Sequence, residues 1–175
     1  MPAVRPASLK VRALQWLAQR EHSRNELREK LLHLLKRGQP AASAENSADN
    51  TDPAVEVETL LLWLEEHGHL SDARFTESRV HARASRFGNR RIQQELQQHG
   101  VTLDAKTREA LTQSEFARAR ALWSRKYGTP ASDAAGRLRQ MRFLAGRGFS
   151  MGVVQQVLKR GASGAGDGDQ GSEGA

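Results

Sequence analysis

Residues 13–32, ALQWLAQREHSRNELREKLL, and residues 140–158, QMRFLAGRGFSMGVVQQVL, read as two copies of one helix–turn–helix unit. With Leu17 set on Leu144 the register runs without a gap. Arg20 falls on Arg147, Ser23 on Ser150, Leu27 on Val154 and Leu31 on Leu158. A third copy lies between them in residues 79–96, RVHARASRFGNRRIQQEL. There Val80, Arg83, Gly88, Ile92 and Leu96 take the same places once two extra residues are allowed at the turn. Each copy is an apolar helix, an Arg, a cap or turn residue, and a second helix with apolar residues four apart. So small a unit cannot bury its apolar face alone and must stack on its neighbours. The pattern predicts an all-α protein, an elongated chain of helical modules suited to lying along something long.

Helical signals continue outward from these copies, and strand signals are almost absent. Ser23-Arg-Asn-Glu26 matches a capping box, in which the Ser hydroxyl accepts an orphan N–H and the Glu reaches back to the cap. The helix it opens stops at Gly38. Residues 39–54 are small, polar and acidic with two prolines, and read as a disordered insertion. A third helix carries Val57, Leu60, Leu61 and Leu64 to His67-Gly68. Ser71 caps the next, and Phe87-Gly88-Asn89 turns into the helix of Ile92 and Leu96. Asp104 opens another, with Thr112-Gln-Ser-Glu115 either a second capping box or an exposed stretch of one long helix through Trp123. Ser132 or Asp133 opens the helix of Leu138, Met141 and Leu144, and Ser150 caps the last. Eight or nine helices result, grouped in threes over residues 9–70, 71–115 and 116–160. The Gly-rich residues 161–175 read as a disordered tail. Modules this small have thin cores, which Trp16, Trp63 and Trp123 are expected to fill rather than serve as base-stacking platforms.

Composition narrows the function classes. The chain of 175 residues has no cysteine, so thiolate metal sites, disulfides and cysteine catalysis are excluded, and a reducing, cytoplasmic setting is expected. The N-terminus lacks a signal-peptide core, and the longest apolar run, Leu60–Leu64, is far too short for a membrane span. The net charge of +7 is divided unevenly. Residues 1–73 hold 9 Lys/Arg against 11 Asp/Glu, residues 74–160 hold 18 against 6, and the last fifteen residues hold three acids and no base. Phosphate-loop, dinucleotide, zinc-protease and nucleophile-elbow motifs are all missing. His67-Gly-His69 has no third ligand nearby in sequence and suits a helix end, where the dipole favours His. No metal, cofactor or catalysis is expected.

The arginines carry the remaining signal. Arg83, Arg86, Arg90 and Arg91 straddle the turn at Phe87-Gly88. Arg125 and Lys126 close a helix before Tyr127-Gly128, and Arg137, Arg139, Arg142 and Arg147 run along the last module. Any one of them can pair with an acid or cap a helix. Together they point to a polyanion or an acidic protein groove, because arginine binds phosphate and carboxylate in planar, bidentate fashion.

At these residues the sequence resembles the RecX family, the bacterial regulatory proteins that modulate the RecA recombinase in DNA repair, homologous recombination and the SOS response. ALQWLAQREHSRNELREKL looks like the family's opening helix pair. WLEEHGHLSDARFTESRVHARASRFGNRRIQQELQQHGV resembles its most distinctive block, and ALWSRKYGTP with MRFLAGRGFS resembles its third-module signature. The 39–54 insertion and the acidic tail depart from the usual pattern without touching these blocks. The resemblance implies three tandem three-helix repeats and a monomer with no catalysis of its own. It would lie in the groove of a RecA–DNA filament and depress ATP hydrolysis and strand exchange, limiting filament growth or promoting disassembly. Its contacts with RecA, and with single- or double-stranded DNA phosphates directly or through RecA, would fall to Arg74, Arg83, Arg86, Arg90, Arg91, Arg125, Lys126, Arg139, Arg142 and Arg147. A free-standing DNA binder built of helix–turn–helix readers, and a helical scaffold for another acidic partner, stay open at this stage.

Overall fold

The computed structural model describes residues 8–38 and 52–163. Eight helices make up almost all of them, and no strand occurs among the described residues. They are α1 (Leu9–Gln19), α2 (Arg24–Gly38), α3 (Pro53–Glu66), α4 (Asp72–Ala84), α5 (Asn89–Gln98), α6 (Ala105–Lys126), α7 (Ala134–Gly146) and α8 (Met151–Ser163). None of the described helices is long and apolar enough to cross a membrane. No group of three or more His, Asp or Glu among the described residues could hold a metal.

Local chemistry sets the helix starts. Asp104 accepts from the Thr107 N–H and Asp133 from the Gly136 N–H, satisfying donors that have no partner inside the helix. Three readings change in detail. Asp52 caps α3 and Pro53 occupies its first position, so residues 52–54 belong to a helix start and not to the expected linker; the rest of that segment lies outside the described residues. At the other end α8 runs through Gly161 to Ser163, past the expected tail boundary, with Gly161 packed where a Cβ would meet the Trp123 ring; residues 164–175 lie outside the described residues. Finally, of the two alternatives for Thr112–Glu115 the long helix holds, since the stretch lies inside one helix of 22 residues, but Glu115 there is buried and not exposed.

The chain divides into two compact units, Met1–Ser78 with Gln98–Val101, and Arg79–Gln97 with Thr102–Ala175. In the first, Ala13, Leu27, Leu31, Val57, Leu61 and Leu64 form the core of α1–α3, and Trp16 and Trp63 pack against it. Arg24 and Arg28 both pair with Glu58 across α2 and α3, at 2.7 and 2.6 Å. These pairs are about one-third exposed and contribute little beyond register. The capping box is half realised: Ser23 accepts from the Glu26 N–H, but the Glu26 carboxylate turns to Arg20. In the second unit Ala119, Leu122, Trp123, Leu144, Phe149 and Val154 make the core of α6–α8.

His22, buried at the α1–α2 turn, gives the first unit a pH dependence. Its Nδ1–H donates to the Arg20 carbonyl at 2.9 Å, and Nε2 accepts from Lys30 Nζ at 2.8 Å. Burial holds the ring below its ordinary 6.5, and the charges of Arg20 and Lys30 add to this against the Arg20 carbonyl and Glu26. For Glu26, burial alone would raise the carboxyl above 4.5, but Arg20, His22 and Lys30 together hold it lower. Both groups bind fewer protons folded than unfolded. Their stabilisation is therefore complete above pH 6.5 and is lost as the pH falls through the folded values of His22 and Glu26. Urea unfolding of the first unit is expected to lose on the order of 1 kcal/mol between about pH 7 and 5, and His22→Gln to flatten that slope. Equal stability at both pH values in the wild type would contradict a buried, neutral His22.

A candidate polyanion-binding cleft in the second unit

Two turns of the second unit lie backbone against backbone. The Gly88 N–H donates to the Arg147 carbonyl at 2.9 Å, and the Arg90 N–H donates to the Gly148 carbonyl at 3.1 Å. Only glycine permits this approach, since a Cβ at Gly88 would sit 2.2 Å from the Phe149 nitrogen. Gly148, at φ +84°, closes the contact from the other side against Arg91.

One buried carboxylate and one arginine fix these turns. Glu115 on α6 is 4% exposed. It accepts from the Asn89 N–H at 3.0 Å, at the start of α5, and from the N–H and hydroxyl of Ser150 at 3.2 and 3.0 Å, at the start of α8. A single anion thus faces the positive ends of two helices. One turn along α6, Arg118 donates to the carbonyls of Ala84, Phe87 and Leu111 and to Asn89 Oδ1. Burial lowers its pKa, and the Glu115 charge opposes that shift.

This packing gathers cations from three elements. Arg86, Arg125, Lys126 and Arg147 line an open cleft of about 440 Å³, whose apolar surface comes from Phe87, Leu122 and Phe143. The rings are faced by charge: Arg91 and Arg147 stand 4.5 and 5.7 Å from the Phe87 centroid, and Lys126 and Arg147 stand 3.9 and 5.3 Å from that of Phe143. Contacts of this kind are worth roughly 0.5–1 kcal/mol each at exposed sites, so they orient the cations more than they stabilise the fold. Among the described residues no carboxylate lines the cleft. Like charges held together without a counter-charge raise the local potential and favour an incoming anion.

The remaining expected contact residues fall elsewhere. Arg90 is exposed at the start of α5, and Arg139 and Arg142 are on α7 outside the cleft lining. Arg83 is held bidentate by Glu95, at 3.0 Å from both Nε and Nη2. Arg74, in the first unit, donates to Glu21 at 2.9 Å and to the carbonyls of Gly68 and His69 that follow α3. The structure therefore joins four of the ten around one cleft, sets Arg91 over its floor, and ties Arg74 and Arg83 to internal acids. Phe87 and Phe143 as a cation-facing floor, and Glu115 with Arg118 beneath the turns, are functional features that the sequence reading did not assign.

Two family models match the chain, described as the second three-helix domain of RecX over residues 71–105 and the third over residues 113–158. Among curated relatives, a Ralstonia nicotianae protein named Regulatory protein RecX is 44% identical over 167 residues, covering 94% of this chain and 95% of its own length. Proteins of the same name from Leptothrix cholodnii and Escherichia coli are 48% and 33% identical, covering 87% and 89% of this chain and 88% and 93% of their own lengths.

Proposed function

The chain belongs to the RecX family, and from that premise we propose that it is a non-enzymatic regulator of RecA acting in the cytoplasm. In this reading it lies as a monomer in the groove of the RecA–DNA filament. It inhibits ATP hydrolysis and strand exchange, and so limits filament growth or promotes disassembly. The observation that carries the site is the cationic cleft, which no carboxylate among the described residues lines and which suits a nucleoprotein polyanion. The rival, a free-standing reader of DNA sequence, needs helix N-termini that can enter a groove. Here α5 begins on Glu115 and on the turn before α8, which favours a charge-reading surface.

The test is single-stranded-DNA-dependent ATP hydrolysis by RecA, titrated with this chain far below one per RecA and with DNA in excess. Substoichiometric inhibition is expected, because the protein acts on the filament. Inhibition that begins only when the DNA itself is saturated would instead identify a competing DNA binder.

A further inference from the structure

The second unit carries another cationic pocket, away from the cleft. Leu122, Arg125 and Lys126 line the cleft, whereas Arg120, Trp123 and Ser124 line this smaller pocket of about 200 Å³. Arg120 and Leu122 are two residues apart, or about 200° around the helix, so the two sites open on opposite faces of α6. Arg160 of α8 joins Arg120, and Thr129 and Gly161 complete the wall.

The pocket is built on fixed parts. Gln140, 5% exposed, accepts from Trp123 Nε1–H and donates to the Thr129 carbonyl, both at 3.1 Å, tying the far wall to the core. A Cβ at Gly161 would meet the Trp123 ring at 2.7 Å, so glycine is what lets α8 bring Arg160 in so close. The Arg160 guanidinium rests 5.0 Å from the Phe116 centroid. Among the described residues no carboxylate lines the pocket, although two guanidinium groups do. A pocket of this size, with two guanidinium groups and the residues Ser124 and Thr129 beside an apolar wall of Trp123, Pro130 and Val157, fits a single phosphate group.

We propose that this pocket binds a backbone phosphate, and that the second unit thereby holds two nucleic-acid backbone segments at once, one on each face of α6. The proposal rests on reading the cleft as the first phosphate site. Two duplexes of mixed sequence, one labelled with a donor and one with an acceptor, report bridging by energy transfer when the full chain is added. Anisotropy of either duplex alone reports simple binding.

The wild type is expected to give energy transfer. Arg120→Glu with Arg160→Glu should abolish it while single-duplex affinity falls less than about 10-fold and helicity is unchanged. The milder Arg120→Gln/Arg160→Gln pair should lower the salt slope of binding by about 1 for each phosphate no longer neutralised. Inorganic polyphosphate should disperse the bridged complex at concentrations where polyglutamate of equal charge does not. Bridging by the Glu pair as strong as by the wild type, binding without bridging in the wild type, or preferential dispersal by polyglutamate would each overturn the second site. A wild type that binds neither duplex would instead remove the cleft reading on which the proposal rests.

Discussion

Gly88→Ala is expected to lower the stability of the second unit by about 3–5 kcal/mol, since its added Cβ makes the closest approach of any among the described glycines. The cost is steric. Gly88 has no positive φ to defend, but its added Cβ would lie 2.3 Å from the Gly148 carbonyl oxygen and 2.2 Å from the Phe149 nitrogen. Both are backbone atoms of a turn that Glu115 also holds, so neither can step aside as a flexible side chain would. Separating the turns breaks the Gly88–Arg147 and Arg90–Gly148 hydrogen bonds together. Gly146→Ala is the control, since a Cβ there meets nothing within 4 Å and alanine favours the end of α7. Urea unfolding followed by Trp123 fluorescence, with Trp16 and Trp63 replaced by Phe, reports the second unit. Equal midpoints for the two variants would show that the turns are not locked together.

The same contact marks where sequence reading stops. The repeat, the turns and most helix starts other than that of α3 were legible because they depend on neighbours a few residues apart, such as Asp133 capping Gly136. Glu115 was not, since its partners lie 26 and 35 residues away. A signal was present nonetheless. Leu111, Glu115, Ala119 and Leu122 follow the spacing of the buried stripe of α6, and a carboxylate in an apolar stripe needs donors from elsewhere. The cleft shows the same limit. Arg86 and Arg147 are 61 residues apart, yet the Arg147 side chain reaches the Arg86 carbonyl. Composition shows that the second half is cationic, and only the meeting of the two turns says which cations share a cleft.

Arg125→Glu with Arg147→Glu is expected to weaken binding to the RecA–DNA filament by at least about 100-fold, or roughly 3 kcal/mol, and to abolish inhibition at substoichiometric ratios. If the cleft is the contact, the repeat itself says why Arg147 should matter more than its counterparts. Arg20, Arg83 and Arg147 hold one repeat position. Arg20 pairs with Glu26 and Arg83 with Glu95, so both charges are answered inside the fold. In the ungapped register the place of Glu26 is taken by Val153 in the last copy, and Arg147 is left facing Phe87, Phe143 and the cleft. Arg83→Glu should therefore act on the fold. It sets a second carboxylate beside Glu95 and costs about 1–2 kcal/mol of stability, with filament affinity changed only a few-fold where the protein stays folded. Affinities measured by anisotropy on labelled filaments, beside unfolding curves for each variant, separate the two outcomes. If Arg83→Glu weakened binding as much as the cleft pair did, net charge rather than the cleft would govern the contact. The acid missing from the last copy of the repeat would then lose its meaning.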